Sequence, residues 1–167
     1  MTLSMSQIAI PAFEQTISAL IKIVDKAEAH CTAKKIDPSV LLGARLYPDM
    51  LPLTRQIQIV SDASRGAMAR LTGSDPAKWE DTEKSFADLK GRLNKTLEAI
   101  HAVGKKIDGQ EGREVKFKAG SMDVAFKGEA FLSTWAFPNF FFHAATAYDI
   151  LRHNGVEVGK RDFLNRA

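Results

Sequence analysis

The sequence predicts an all-α protein, a four-helix bundle with one small β-hairpin inserted before its last helix. Three observations carry this. Apolar residues recur at steps of three and four through three long segments. A fourth segment, toward the C-terminal end, is apolar in nearly every direction, as a helix buried on all sides is. Between the third and fourth lies a short stretch that alternates apolar and polar residues around a Gly-Ser pair.

The first helix is expected from about Ser6 to Ala33, with Ile10, Phe13, Ile17, Leu20, Ile21 and Val24 facing the core. Asp37 and Pro38 suit the cap and first position of a short helical turn. The second helix is expected to begin near Pro48-Asp49, with Met50, Leu53, Ile57, Val60, Ser64, Ala67 and Leu71 as its seam. Thr72-Gly73-Ser74-Asp75-Pro76 ends it. Asp81 or Thr82 is the expected cap of the third helix, whose core face is Phe86, Leu89, Leu93, Leu97 and Ile100. A hairpin over about 114–127 pairs Ala119 with Met122, Phe117 with Val124 and Val115 with Phe126, and sets Lys118 opposite Asp123. The fourth helix spans about Glu129 to His153, with a kink or a short restart expected at Pro138, whose missing N–H cannot bond Thr134. Asn154-Gly155 closes it, and a tail of about 155–167 follows.

Composition narrows the function classes. At 167 residues, 45% hydrophobic and 26% charged, the chain suits one globular domain. Its net charge of +3 is spread among acids, not gathered on one face, so nucleic acid is not an expected partner. No stretch approaches the ~18 apolar residues of a membrane span, so neither is a membrane. A single cysteine, Cys31, makes no intrachain disulfide, which fits a reducing compartment; the cytoplasm is expected. Met1 to Ile10 lack a basic stretch followed by an apolar run, so no secretory leader is expected there. No G-x-S-x-G, P-loop, G-x-G-x-x-G or C-x-x-C motif occurs.

The residues that bear chemistry are few. On a helix, Asn139, His143, Thr146, Ala147 and Ile150 share one face, and Asn139 and His143 stand one turn apart. One imidazole and one amide make a poor metal set, so a hydrogen-bonded polar pair is the plainer reading. Gln58 and Asp62 are also one turn apart, bordering either a pocket or the wet flank of the second helix. His30 and Cys31 are adjacent and therefore diverge by about 100°, which argues against a nucleophile pair.

Three segments together resemble a known family: Leu41-Leu42-Gly43-Ala44-Arg45-Leu46-Tyr47-Pro48-Asp49-Met50, Pro52-Leu53-Thr54-Arg55-Gln56, and Pro138-Asn139-Phe140-Phe141-Phe142-His143 continuing through Thr146-Ala147-Tyr148-Asp149-Ile150-Leu151-Arg152. With the tail Gly159-Lys160-Arg161-Asp162-Phe163-Leu164, nearly the whole chain resembles the bacterial and fungal family of unknown function numbered nineteen ninety-three. That family is grouped with the DinB-like, or YfiT-like, metalloenzymes. The resemblance implies a single DinB-like bundle domain over 1–167, commonly a homodimer. It also implies a divalent-metal site, with one His on the second helix and an H-x-x-x-H pair on the last. Here His143 resembles the first His of that pair, and Ala147 stands at the second. A glutamine, Gln58 before Gln56, stands for the second-helix His.

Two expectations follow. The leading one is a degenerate metal site, with His143, Asn139, Thr146, Gln58 and Asp62 lining a metal-free pocket for a small molecule, or a structural remnant, and no cofactor. The alternative is a metal- or thiol-dependent transferase or hydrolase that uses His143, with zinc or nickel as the divalent metal and Asp62 or a water completing the site.

Overall fold

A computed structural model describes residues 3–166. Helix α1 (Met5–Lys34) begins at a capping box. The Ser4 hydroxyl accepts from Gln7 N–H at 3.4 Å, and the Gln7 side chain accepts from Ser4 N–H at 2.9 Å. Phe13, Ile17, Leu20 and Val24 form its buried stripe, with Ile10 and Ile21 on the flank. Lys35 turns left-handed at φ 55°, which lets Ile36 N–H reach back to the Cys31 carbonyl and ends the helix. A short α2 (Pro38–Leu42) follows, capped by Asp37 on Ser39 N–H at 2.8 Å.

Helix α3 (Leu53–Leu71) starts later than Pro48-Asp49. Pro52 is its N-cap, and a proline disfavours helical backbone at the residue before it, so the helix cannot extend back through Leu51. The preceding residues form a separate turn, with Met50 N–H on the Tyr47 carbonyl at 3.0 Å. Helix α4 (Phe86–Val103) is capped by Ser85 with Asp88, not by Asp81 or Thr82. Asp81 is drawn instead to Arg55 and Arg92. The chain then passes through a 3₁₀ turn (Gly104–Ile107) into the hairpin, β1 (Glu114–Ala119) and β2 (Met122–Lys127).

The hairpin register is the predicted one: Val115 opposite Phe126, Phe117 opposite Val124, Lys118 opposite Asp123 and Ala119 opposite Met122. Gly120 supplies the positive φ of 62° that the two-residue turn requires. Phe117 and Phe126 meet Phe131 and Trp135 with ring centroids 5.5–6.2 Å apart, so the hairpin docks on the bundle. An isolated two-stranded hairpin is marginal in water, and this aromatic cluster is what holds it.

The last long segment restarts next to Pro138, one of the two forms expected there. Short α5 (Gly128–Ala130) leads into a π-helical stretch (Phe131–Ala136), and regular α6 (Phe137–His153) begins just before Pro138. Pro138 donates no hydrogen bond to the preceding turn, and that turn is widened to a π-helical one. The Ser133 and Thr134 hydroxyls bond the Glu129 and Ala130 carbonyls at 2.9 and 2.6 Å. A final turn, α7 (Lys160–Phe163), folds the tail back, with Phe163 against Tyr148 and Asp162 accepting from Lys26 at 2.5 Å.

Side-chain contacts set the helix directions. Phe13 touches Phe137 and Phe140, and Gly155 lies beside His30, so α1 and α6 run the same way. Lys90 pairs with Asp25 and Glu28, and His101 with Glu14, so α4 opposes α1. Gln56 meets His143, while Arg70 lies over Phe117 at the Phe131 end, so α3 opposes α6. Helices α3 and α4 are therefore parallel neighbours, and residues 72–85 must cross back along the bundle. Among the described residues, no helix is long and apolar enough to cross a membrane.

Candidate functional site

Helices α3 and α6 bring Gln56 and His143 together. The contact between His143 Nδ1 and Gln56 Oε1 is 2.6 Å. Gln56 is buried, and its Nε2 donates to the Leu51 carbonyl at 2.9 Å, in the turn that Pro52 separates from α3. That donation aims Oε1, a pure acceptor, at the ring. His143 Nδ1 must then carry the hydrogen, which leaves Nε2 as the bare nitrogen of a neutral imidazole. Burial pushes the His143 pKa below its usual value, and the Arg55 guanidinium adds to the shift.

The sign of that shift sets a pH window. The folded state binds the His143 proton less readily than the unfolded chain does. This contribution is therefore complete above about pH 6.5 and is lost as pH falls through that value toward the lower folded pKa. Thermal midpoints from about pH 8 to pH 5 should fall more steeply in the wild type than in His143→Gln. Identical slopes would show that His143 carries no such linkage.

Two of the other predicted residues, Gln58 and Asp62, do not converge on His143. Gln58 turns to a charged cluster, accepting from Arg55 Nη1 at 2.8 Å and donating to Glu83 at 2.7 Å. Of the two glutamines, it is Gln56 that faces the histidine. Asp62 accepts from Arg65 at 2.7 Å and Arg92 at 2.8 Å, so it does not complete a site with His143. Thr146 is buried and bonds its own helix at the Phe142 carbonyl, 2.7 Å away. Asn139 is half-buried one turn before His143, and Ala147, one turn after it, is fully buried. Cys31 is buried too; burial first, then Asp37 and Glu28, push its thiol pKa up, away from a nucleophile's.

The cluster that claims Gln58 and Asp62 is a second constellation. Arg92 lies almost wholly out of solvent and contacts Asp62, Asp81 and Glu83 within 3.1 Å. Arg65 reaches the Ala77 carbonyl and lies over the Trp79 ring at 4.2 Å, and Lys95 approaches the same ring at 4.3 Å. Burial opposes the Arg92 charge, but Glu83 and Asp62 outweigh it and hold its pKa above the ordinary value. These contacts fasten the 72–85 crossover to α3 and α4. Arg92 was visible in the sequence as one cation on an otherwise apolar helical face, between Leu89 and Leu93. Such a residue needs buried partners, and its spacing could not name them.

The donor set does not fit a catalytic metal. His143 offers one imidazole nitrogen, Gln56 Oε1 is a weak amide donor, and Ala147 offers nothing. Among the described residues, no three of the His, Cys, Asp and Glu side chains gather where one ion could bind.

A family model described as a domain of unknown function (DUF1993) matches residues 5–164. The chain belongs to the DUF1993 family. A crystal structure of a DinB family member protein from Shewanella denitrificans superposes on this DUF1993 chain with a TM-score of 0.86 and 35% sequence identity. The match covers 95% of the chain and 90% of the Shewanella protein. The DUF1993 bundle with its hairpin is thus DinB-like in fold. A search of curated proteins finds no match.

Proposed function

We propose that this DUF1993 chain is a cytoplasmic, homodimeric small-molecule-binding protein in which a hydrogen-bonded Gln56–His143 pair replaces a DinB-type metal centre. The 2.6 Å contact between those side chains carries the reading. It occupies one ring nitrogen with an amide, while Ala147 supplies no second imidazole on the same helical face. The bare Nε2 is then a fixed hydrogen-bond acceptor for a ligand's N–H or O–H. Exposed aromatic side chains lie on the two segments that supply the pair. Phe142, 56% exposed, has its ring 5.2 Å from His143, and Tyr47, 65% exposed, precedes the Leu51 turn that holds Gln56. Exposed aromatic groups of this kind favour burial against a ligand or a second copy.

Elemental content and sedimentation of one purified sample test the reading together. The expected result is far less than one zinc, nickel or iron per chain, unchanged in His143→Gln, and the mass of a dimer at micromolar concentration. Near-stoichiometric metal lost in His143→Gln would overturn the metal-free site, and a monomer would overturn the dimer.

The bare, neutral Nε2 also favours a second reading, a transferase or hydrolase in which His143 is the general base. That reading needs turnover that disappears in His143→Gln.

A further inference from the structure

Separate from His143, a cleft of about 490 Å³ opens between the C-terminal end of α3 and β1 of the hairpin. Its lining carries Arg70, Arg113, Lys116 and Lys118 against only two carboxylates, Asp75 and Glu114. The lysines are engaged: Lys116 pairs with Glu114 at 3.0 Å, and Lys118 approaches Asp123 at 3.9 Å. The arginines are not. Among the described residues, no carboxylate lies within ion-pair distance of either guanidinium. The Arg113 guanidinium bonds, among the described residues, only the neutral Gln110 side chain, at 2.6 Å through Nε.

Both guanidinium groups are placed by the fold. Arg70 lies over the Phe117 ring at 4.7 Å, and its Nη1 sits so close to Gly66 that a Cβ there would be 2.9 Å away. Arg113 crosses Gly73, where a Cβ would lie 2.4 Å from its Nη1, and Gly73 holds a φ of 77°. The Arg113 backbone is pinned on both sides, its N–H on the Gln110 carbonyl and its own carbonyl accepting from Gly128 at 2.8 Å. Burial, opposed by Asp75 and aided by Arg65, lowers the Arg70 pKa, as expected of a cation short of counter-charge. Two oriented forks with spare N–H groups lining one cleft match the planar, bidentate chemistry of an oxyanion.

We propose that this cleft binds the phosphate of a small phosphorylated molecule between Arg70 and Arg113. The volume exceeds what a bare phosphate fills and lies in the range of small-molecule sites. The half-buried Phe117 offers apolar wall for the rest of the ligand.

The test is amide NMR of ¹⁵N-labelled protein at low ionic strength, titrated separately with inorganic phosphate, phenyl phosphate and benzoate. Saturable shifts are expected at Gly73, Ser74, Arg113 and Lys116, with half-saturation by phenyl phosphate below about 1 mM. Inorganic phosphate should bind more weakly through the same residues, because it leaves the apolar wall uncovered. Arg113→Gln, an exposed change that should leave the fold intact, is expected to weaken phenyl phosphate about tenfold or more, and Arg70→Gln similarly. Absence of saturable shifts, or unchanged binding in Arg113→Gln with an intact wild-type spectrum elsewhere, would overturn the site. Benzoate binding as tightly as phenyl phosphate would overturn the assignment to phosphate.

Discussion

Replacing Arg92 by Met is expected to destabilise the fold by about 3 kcal/mol, read as a lower urea midpoint with an unchanged slope. Arg92 is the cation that Asp62, Asp81 and Glu83 share, and its side chain is only 2% exposed. Met fills much of the volume but leaves three carboxylates without their common partner. Breaking a buried pair from one side costs about 3–5 kcal/mol, because the remaining charge stays desolvated. The lower end applies here, since Asp62 and Asp81 are 39% and 38% exposed and water can screen them. Glu83, at 11%, has no such relief. Arg92→Lys should recover only part of the loss, because an ammonium cannot span partners that Arg92 reaches through both of its terminal nitrogens. A change below about 1 kcal/mol in Arg92→Met would mean that the crossover is held by Arg55, Arg65 and Trp79 without it.

A second large effect is expected from rebuilding a metal centre. Gln56→His with Ala147→His would place two imidazoles around His143, one on α3 and one a single turn along α6. Three imidazoles are a sufficient zinc set, whereas one is not. The metal-free double variant should itself be weakened by about 1–3 kcal/mol, because Ala147 is fully buried and a larger ring there overpacks the core. Zinc at a hundredfold excess over its Kd should return about 2.7 kcal/mol, seen as a metal-dependent rise in Tm absent from the wild type. Gln58→His with Ala147→His is the informative control. Gln58 faces Arg55 and Glu83, so that pair should gain no zinc response. A response from the Gln58 pair and none from the Gln56 pair would reverse the assignment of the facing glutamine.

The difference between those two glutamines shows where sequence reasoning stops. Both lie on α3 two residues apart, and either was compatible with a lost second-helix ligand. Which one meets α6 depends on how α3 is rotated about its axis, and that is decided by the packing of Leu53, Ile57 and Val60 against the other helices. The choice for Asp62, between a pocket border and a flank of the helix, was open for the same reason. Its partners Arg92 and Arg65 are fixed by the path of the 72–85 crossover, which no local periodicity encodes.

Local chemistry by itself determined a good deal. Three-four spacing placed the core faces of α1, α3 and α4, Asp37-Pro38 marked α2, and period-two alternation around Gly120-Ser121 set every pair of the hairpin register. These features depend on residues a few positions apart, so the sequence carries them without help. The quoted segments also carried the family. Tertiary structure alone decided the rest: the parallel run of α3 and α4, the ion network on Arg92, and the choice of Gln56 as the partner of His143. Each is settled by contacts between residues far apart in the chain, where the cost of leaving a buried charge or amide unpaired outweighs any local preference.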